Sequence, residues 1–340
     1  MRQKKFCIVG QGLAGTLLAH SLLEREQSVT IIDNSWKNAA SVVAAGMWNP
    51  LNFRTMGFSW MAPILVPFLI KRIKQLESKL SVKLLYDKDI VKKIPDNHSA
   101  ELLENKREEI KDFLVEGEHA EANNLNLPYG SFTISKTGVL DISTLIAVSR
   151  DYFKSKGIYQ SEKFSWDQVQ EDLCYISCEG FQSKYNPYFQ YIPMPGNKGE
   201  ILLLDDHPDW SGSDILNCSK FLFRGPEGQL KAGSTYKWNN TNLDLTAEAV
   251  DEILKPFKST LKAPISVSKL IVGIRPTTLD RRPLLGRHPE RENIAIFGGL
   301  GTKGVMLGPY FSEQMAEFLV NDQPLNPEVD INRFIKRYHD

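Results

Sequence analysis

The chain has 340 residues, a length that suits two lobes or two domains better than one simple core. Hydrophobic residues make up 42% of the chain and charged residues 24%, which is the composition of a globular protein. Lysine plus arginine and aspartate plus glutamate both number 41, so the zero formal net charge argues against a nucleic-acid partner.

The chain opens with a pattern of strand, helix and strand. Residues 6–9 predict a short buried strand, residues 13–25 have helical composition, and residues 29–32 predict a second buried strand. This order is typical of a βαβ unit with parallel strands. We therefore predict that the protein begins with such a unit.

A glycine motif joins the first predicted strand to the helix. Gly10, Gly12 and Gly15 form G-x-G-x-x-G, and Asp33 ends the second strand. The first glycine permits a tight turn, the second leaves room for a pyrophosphate, and the third lets helix and strand pack closely. The free N–H groups of the helix N-terminus attract phosphates, and Asp33 can accept hydrogen bonds from ribose hydroxyls. The motif fits NAD or FAD, whereas Asp33 disfavours the 2′-phosphate of NADP.

Small residues follow this unit in the segment SVVAAGMWNP, residues 41–50. Ala44, Ala45 and Gly46 are too small to build a core alone. They would let the backbone run close to a flat ligand such as an isoalloxazine ring. The alternative interpretation is a helix start or a loop that happens to contain small residues.

The most apolar later stretch, FSWMAPILVPFLIKRIK, is too short to span a bilayer before its charges begin. The N-terminus runs straight into the glycine motif and lacks the apolar core of a secretory signal. We therefore expect a cytoplasmic protein without a membrane span. The four cysteines fit neither a zinc pattern nor a disulfide framework, so we expect no metal site.

The middle of the chain contains three further predicted elements. Residues 141–157 predict a helix with Asp141 as N-cap and Gly157 beyond its end. FLFRGPEGQLKAGST predicts a hairpin, and LTAEAVDEILKPF predicts a helix capped by Thr246.

A second strand, glycine turn and helix lie near the C-terminus. Residues 294–297 predict a strand, residues 298–304 a glycine-rich turn, and residues 305–319 a helix. The helix N-terminus and Lys303 would stabilise the negative charge that a reduced flavin carries around N1 and the C2 carbonyl. The alternative is that Lys303 is a solvated loop residue.

Three motifs together resemble the D-amino-acid oxidase/glycine oxidase (DAO) family of FAD-dependent oxidoreductases. GIRPTTLDRRPLLGRHPERENIAIFGGLGTKGVMLGP resembles that family's C-terminal block, AAGMWNP its loop after the first βαβ unit, and KFLFRGPEGQLKAGSTY its substrate-domain hairpin. The motifs occur in the family's order.

The resemblance implies an α/β fold, α+β overall, in which a Rossmann-like FAD-binding domain is interleaved with an antiparallel-sheet substrate domain. The discontinuous FAD-binding domain would take residues 1–50, 138–180 and 270–340. The substrate domain would take residues 51–137 and 181–269.

The resemblance also implies site residues. Besides the three glycines, the family's FAD contacts fall on Leu13, Ala14, Asp33, Asn34, Ser41, Ala45, Gly46, Met47, Leu300, Gly301, Thr302, Lys303, Gly304, Val305 and Met306. The arginine that grips the substrate carboxylate falls on Arg275, and a planar guanidinium can pair both carboxylate oxygens. The alternative for Arg275 is an internal ion pair with Asp280 or another acid.

The chain departs from the wider superfamily's pattern at several positions. Where members with covalently bound flavin have histidine or cysteine, this chain has Val43 and Gly273, so we expect non-covalent FAD. An active-site tyrosine of the family corresponds to Phe221, which puts simple amino acids in doubt as substrates. We do not expect Tyr236 or Tyr185 to replace it.

The implied activity is oxidation of the C–N bond of an amino acid or related carboxylate-bearing amine by hydride transfer to flavin N5. No residue is assigned as catalytic, because a neutral amine needs no protein base, and we expect His288 to lie in a loop. One alternative is oxidation of the carboxymethylaminomethyl group on tRNA wobble uridine, since GLGTKG also resembles that enzyme's flavin block. A non-catalytic flavin-binding protein is another, and an NAD dehydrogenase is the least favoured. The amine, the acceptor (oxygen or a quinone) and the oligomeric state stay open.

Overall fold

A computed structural model describes residues 4–35 and 39–339 of the protein. Its strands are, in chain order, β1 Lys5–Val9, β2 Ser28–Ile32, β3 Met47–Trp48, β4 Leu51–Asn52, β5 Gly57–Phe58, β6 Leu85–Asp87, β7 Ile90–Lys93, β8 Leu114–Val115, β9 Ser131–Ile134, β10 Gly138–Leu140, β11 Tyr159–Gln160, β12 Cys174–Ser177, β13 Asn197–Leu204, β14 Ile215–Asn217, β15 Phe221–Arg224, β16 Leu230–Gly233, β17 Lys237–Trp238, β18 Val267–Arg275, β19 Leu284–His288 and β20 Arg291–Gly298. Its α-helices are α1 Leu13–Glu24, α2 Ala40–Val43, α3 Ala62–Leu80, α4 Asn97–Ile110, α5 Ile142–Ser155, α6 Ala247–Lys258, α7 Gly304–Asn321 and α8 Ile335–His339.

A six-stranded sheet contains the first predicted unit. Its order is β11-β2-β1-β12-β20-β19, and every neighbouring pair is parallel except β19 with β20. Helices α1, α3, α5 and α7 contribute to the apolar core that packs against this sheet. The predicted βαβ unit and the predicted unit of strand, glycine turn and helix near the C-terminus are therefore confirmed.

The parallel strands place distant parts of the sequence at one edge. The glycine turn follows β1, Asp33 follows β2, and the turn 299–303 follows β20. Because the carboxyl ends of parallel strands meet at the same edge of a sheet, these three segments lie side by side.

The second large sheet has nine strands and is mostly antiparallel. Its order is β17-β13-β16-β15-β14-β7-β9-β8, with β18 paired to β13, and only β7 with β14 is parallel among the described pairs. Strand β13 has neighbours on both sides. Strand β18 lies on one side of it, and β16 and β17 lie on the other. The mixed sheets agree with the α/β, α+β class implied by the sequence.

Several local predictions are confirmed and two are wrong. The Asp141 carboxylate accepts a hydrogen bond from the Thr144 N–H at 2.9 Å and so caps α5. Strands β15 and β16 form the predicted hairpin. Thr246 does precede α6, but its hydroxyl hydrogen-bonds to the Glu200 carboxylate and caps no backbone N–H. His288 lies in β19 and is buried, not in a loop.

We propose that the two large sheets mark two interleaved domains. In that division β18 belongs with the nine-stranded sheet, and α3 belongs with the core of the six-stranded sheet. Most of β18 would then move from the predicted FAD-binding domain to the substrate domain, and α3 would move in the opposite direction. The sequence could not show this, because sheet pairing and core packing join residues far apart in the chain. No helix in the described part of the chain is long and apolar enough to cross a membrane.

Candidate active site

A cavity of about 1220 Å³ is lined by both large sheets and by all three sequence motifs. The predicted site residues that line it are Gly10, Gly12, Leu13, Ala14, Asp33, Asn34, Ser41, Ala45, Gly46, Met47, Phe221, Arg275, Leu300, Gly301, Thr302, Lys303, Gly304, Val305 and Met306. Gly15 lies behind the cavity. Within the described residues, no group of three or more His, Cys, Asp or Glu side chains could hold a metal ion.

The glycine turn is packed too tightly for side chains. Gly10 has φ +99°, and a Cβ added to it would lie 2.7 Å from the Cys178 carbonyl oxygen. A Cβ added to Gly15 would lie 1.9 Å from the Gly10 carbonyl oxygen. These two glycines let α1 start directly against the end of β12, so its N-terminus points into the cavity.

The start of α1 presents hydrogen-bond donors to this end of the cavity. Gly12 precedes the helix and supplies no side-chain cap, so the first N–H groups of α1 lack an intrahelical partner. The Leu13 N–H donates to the Ser41 hydroxyl oxygen at 3.1 Å. Helix N–H groups beside a hydroxyl suit a phosphate, since they combine free donors with the positive end of the helix dipole.

Asp33 is held rigidly beside this helix start. Its Oδ1 accepts a hydrogen bond from the Gln11 N–H at 2.9 Å, and its Oδ2 accepts one from the Ser35 N–H at 2.9 Å. Arg150 lies 3.5 Å from the same Oδ2 and also donates to the Gln11 side chain at 2.7 Å. Arg150 stands in no motif, so sequence reasoning missed it. Oδ1, which accepts one hydrogen bond, retains capacity for a further donor from the cavity.

The loop after α2 is pressed against β10 and β18. Gly46 has φ +77°, and a Cβ there would lie 2.2 Å from the Leu140 carbonyl oxygen. Before the loop, at the end of α2, Val43 packs on Gly273, where an added Cβ would lie 3.1 Å from the Val43 Cβ. The structure thus brings together the two positions at which covalent flavin attachment was considered. Neither residue offers an atom that can form such a bond.

Glycines also line the face of the nine-stranded sheet that borders the cavity. Gly199 pairs with Gly273, and Ile201 pairs with Gly233. Directly paired residues of antiparallel strands carry their side chains on the same face, so this face has few side chains to fill it. The gap over Gly199 is occupied by the Arg275 guanidinium, because a Cβ there would lie 2.3 Å from Nη2.

The Arg275 side chain is held by neutral groups. Nη1 donates to Asn197 Oδ1 at 2.6 Å, and Nη2 donates to the Ser234 hydroxyl at 2.7 Å. The guanidinium carbon lies 4.4 Å from the centroid of the Tyr236 ring. Burial lowers the pKa of Arg275 below its ordinary value.

No carboxylate of the described residues pairs with Arg275. The expected alternative, an ion pair with Asp280, is wrong, because Asp280 accepts a hydrogen bond from Arg333 at 2.7 Å. A buried cation is costly unless an anion compensates it. The positive charge of Arg275 is therefore not compensated by any carboxylate of the described residues.

Two aromatic residues border the guanidinium region. Phe221 lines the cavity beside Gly233 and offers no hydroxyl. Tyr236 also lines the cavity and covers Arg275. The expectation that it does not replace the hydroxyl missing at Phe221 stays a prediction. Tyr185 is exposed and does not line the cavity. The position of Tyr236 at the site depends on its contact with Arg275 across β13. The spacing of residues in the sequence could not reveal that contact.

Lys303 places an amino group inside the cavity at the start of α7. Its Nζ hydrogen-bonds to the Ser59 hydroxyl, and it pairs with no carboxylate of the described residues. Burial lowers the pKa of Lys303 to about 8. Lys303 is therefore not a solvated loop residue, and its charge is available to a ligand.

Comparison with known proteins agrees with this geometry. The chain matches the family model described as FAD dependent oxidoreductase over residues 5–318. It is 30% identical over 97 residues to glycine oxidase of Bacillus licheniformis, covering 28% of this chain and 26% of the relative. It is 28% identical over 137 residues to glycine oxidase of Bacillus subtilis (strain 168), covering 39% and 36%. The matched segments thus span well under half of these relatives.

Solved structures share the fold over nearly the whole chain. Glycine oxidase from Geobacillus kaustophilus superposes with a TM-score of 0.79 at 18% identity, covering 98% of both chains. L-proline dehydrogenase from P. horikoshii superposes with a TM-score of 0.82 at 14% identity, again covering 98% of both chains. With the family match and the fold in agreement, the chain belongs to the DAO family of FAD-dependent oxidoreductases.

Proposed function

We propose that this protein binds FAD non-covalently and oxidises the C–N bond of an amino acid or related carboxylate-bearing amine. The observation that carries the proposal is the buried Arg275 guanidinium, which has only neutral partners and borders the cavity that the dinucleotide motifs line. A guanidinium group binds a planar carboxylate through two parallel hydrogen bonds. The names of the glycine oxidase and proline dehydrogenase relatives support the amino-acid class.

The cavity fits FAD in three places along its length. The N-terminus of α1 with the Ser41 hydroxyl would hold the pyrophosphate, and Asp33 would accept hydrogen bonds from ribose hydroxyls. The small residues around Gly46 and the turn before α7 would border the isoalloxazine ring. A bound flavin supplies the acceptor for the two electrons and the hydrogen of the substrate Cα–H bond.

Lys303 would lie at the isoalloxazine end with its charge uncompensated by any carboxylate in the described residues. Preorganised positive charge stabilises negative charge that develops during a reaction and costs no reorganisation at that moment. Lys303 would therefore favour the reduced flavin.

Arg275 would orient the substrate by its carboxylate, and Tyr236 would cover the pair. The neutral amine loses a hydride from its Cα, and the nitrogen lone pair forms the C=N bond of an iminium ion. Water then adds to that carbon, which gives the oxo acid and ammonium. Nothing in this sequence requires a protein base, and no histidine of the described residues lines the cavity.

An anaerobic screen of amines, with and without a carboxylate, tests the proposal through the loss of flavin absorbance. Bleaching by amino acids supports it. Bleaching only by tRNA that carries the carboxymethylaminomethyl group would favour the wobble-uridine oxidation, in which Arg275 keeps its role. If no amine bleaches the flavin, the protein is a flavin-binding protein without turnover.

The first prediction concerns flavin attachment. Acid precipitation of the purified yellow protein should release intact FAD into the supernatant, because neither Val43 nor Gly273 can bond to the ring. Absorbance of the supernatant and chromatography of the released flavin provide the measurement. Yellow colour that stays with the precipitate would contradict the prediction.

The second prediction concerns Asp33. Asp33→Ala should weaken FAD binding about ten- to 150-fold, since hydrogen bonds to charged groups contribute about 1.5–3 kcal/mol. Asp33→Asn is the matched control, because it keeps an acceptor oxygen and should lose less. Titration of the apoprotein with FAD gives both dissociation constants. An unchanged constant in the alanine variant would show that Asp33 does not bind the cofactor.

The third prediction concerns Lys303. Lys303→Met should lower the flavin reduction potential at pH 7, where the amine is mostly protonated, whereas Lys303→Arg keeps the charge. Because the pKa of Lys303 lies at about 8, the difference between wild type and the methionine variant should shrink as the pH rises above that value. The measurement is the flavin reduction potential of each variant against reference dyes, from pH 7 to above pH 8. A pH-independent difference would refute the assigned charge.

The fourth prediction concerns Arg275. Arg275→Ala should leave FAD bound and weaken binding of carboxylate-bearing amines roughly 30- to 4,000-fold, as for removal of one partner of a buried charge pair. Arg275→Lys should recover only part, because an ammonium cannot form the two-pronged contact. Amines without a carboxylate should be poor substrates of the wild type and change little in the variants. Equal losses for both kinds of amine, with a lower melting temperature, would instead indicate a structural role.

A further inference from the structure

A second arginine borders the same cavity and has no role in the proposed function. Arg281 lies six residues after Arg275 and lines the cavity. Its guanidinium carbon lies 5.8 Å from the centroid of the Trp238 ring, within the range of a cation–π contact. Trp238 is 46% exposed, so this contact stands at the open side of the cavity.

The strand register puts Trp238 on the same sheet face as Arg275. Asn197 at the start of β13 pairs with Arg275 of β18 on one side and with Trp238 of β17 on the other. Directly paired residues share a face, and neighbouring strands lie about 4.8 Å apart, so the Arg275 and Trp238 backbones are roughly 10 Å apart. That spacing leaves room for a short carbon chain between two anions, one at each guanidinium.

Arg281 differs from its two sequence neighbours in having no ion-pair partner among the described residues. Arg282 pairs with Glu328 at 3.1 Å, and Asp280 pairs with Arg333 at 2.7 Å. No carboxylate in the described segments of the chain lies within ion-pair distance of Arg281. Its backbone has φ +60°, a left-handed conformation that a residue with a side chain rarely adopts. The turn therefore holds this residue in an uncommon conformation with its guanidinium beside Trp238.

We propose that Arg281 and Trp238 form a second anion subsite, and that the substrate is therefore an amino or imino acid with a second carboxylate. This inference rests on the proposed function, in which Arg275 binds the carboxylate next to the reacting carbon. Arg281 is exposed, so a substrate with one carboxylate would occupy Arg275 and leave Arg281 to solvent. A second carboxylate would pair with Arg281 at the open side of the cavity, with Trp238 beside that pair.

Turnover of matched substrates tests the subsite. Glutamate and glutamine, each as both enantiomers, have the same length and differ by one charge. The wild type should reduce its flavin with glutamate at a KM about two- to fivefold lower than with glutamine, the range expected for an ion pair to an exposed side chain. Arg281→Gln should remove this preference by raising the KM for glutamate, with little change in the KM for glutamine.

Lys237→Gln is the matched control, because it removes the same charge from the residue next to Trp238. Lys237 pairs with Lys198 in the register and so lies on the opposite face of the sheet, where it contacts Glu252 at 3.0 Å. The preference for glutamate should survive in this variant. Its loss there would mean that general electrostatics, rather than a subsite, produces the preference, and would overturn the proposal.

Binding of unreactive acids separates this inference from the proposed function. Succinate and its monoamide, succinamate, have no amine to oxidise, and their binding can be followed through the shift of the flavin spectrum. Tighter binding of succinate by the wild type, lost in Arg281→Gln, supports the subsite even if no amine reduces the flavin, in which case the proposed function alone fails. Equal affinities of the wild type for both acids would overturn the subsite whether or not amines are oxidised.

Discussion

The burial of the Arg275 guanidinium on a sheet face made largely of glycine is the constraint on which the rest of the site depends. The side chain fits only because Gly199 has no Cβ, which would lie 2.3 Å from Nη2. Its neutral acceptors satisfy donors but leave the charge uncompensated. An anion from the cavity would stabilise a cation in that state, and this supports the proposed carboxylate ligand.

The charged residues around the cavity are not evenly distributed, although the formal net charge of the chain is zero. The acidic lining residues, Asp33, Glu162 and Glu179, follow strands of the six-stranded sheet. The lining cations Arg150, Lys163 and Lys303 come from the same side as these acids. Arg275 and Arg281 come from the other sheet and the turn beyond it, where no acidic residue among those described lines the cavity. This distribution supports the proposals that Asp33 binds ribose hydroxyls and that the two arginines bind anionic groups of the substrate. The zero net charge of the whole chain does not reveal the local excess of positive charge beside the nine-stranded sheet.

Elements whose conformation depends on neighbouring residues were predictable. The glycine turn, the cap that Asp141 supplies and the hairpin of β15 and β16 each follow from residue types within a few positions. Thr246 shows where this reasoning fails. Its place before α6 was correct, but its hydroxyl bonds to Glu200, which lies 46 positions away, because a buried carboxylate needs donors more than an exposed helix end does.

The sequence by itself determined the dinucleotide motif and the two units of strand, glycine turn and helix, because glycine turns, caps and hydrophobic periodicity are local properties. Its resemblance to the DAO family pointed to Arg275. Only the tertiary structure decided what each side chain contacts. Tyr236 covers Arg275, Arg150 lies beside Asp33, and Arg281 lies over Trp238 because strand pairing and helix packing bring together segments that are far apart in the chain. Register and packing arise from the whole hydrophobic pattern of both sheets, so no short stretch of sequence encodes those contacts.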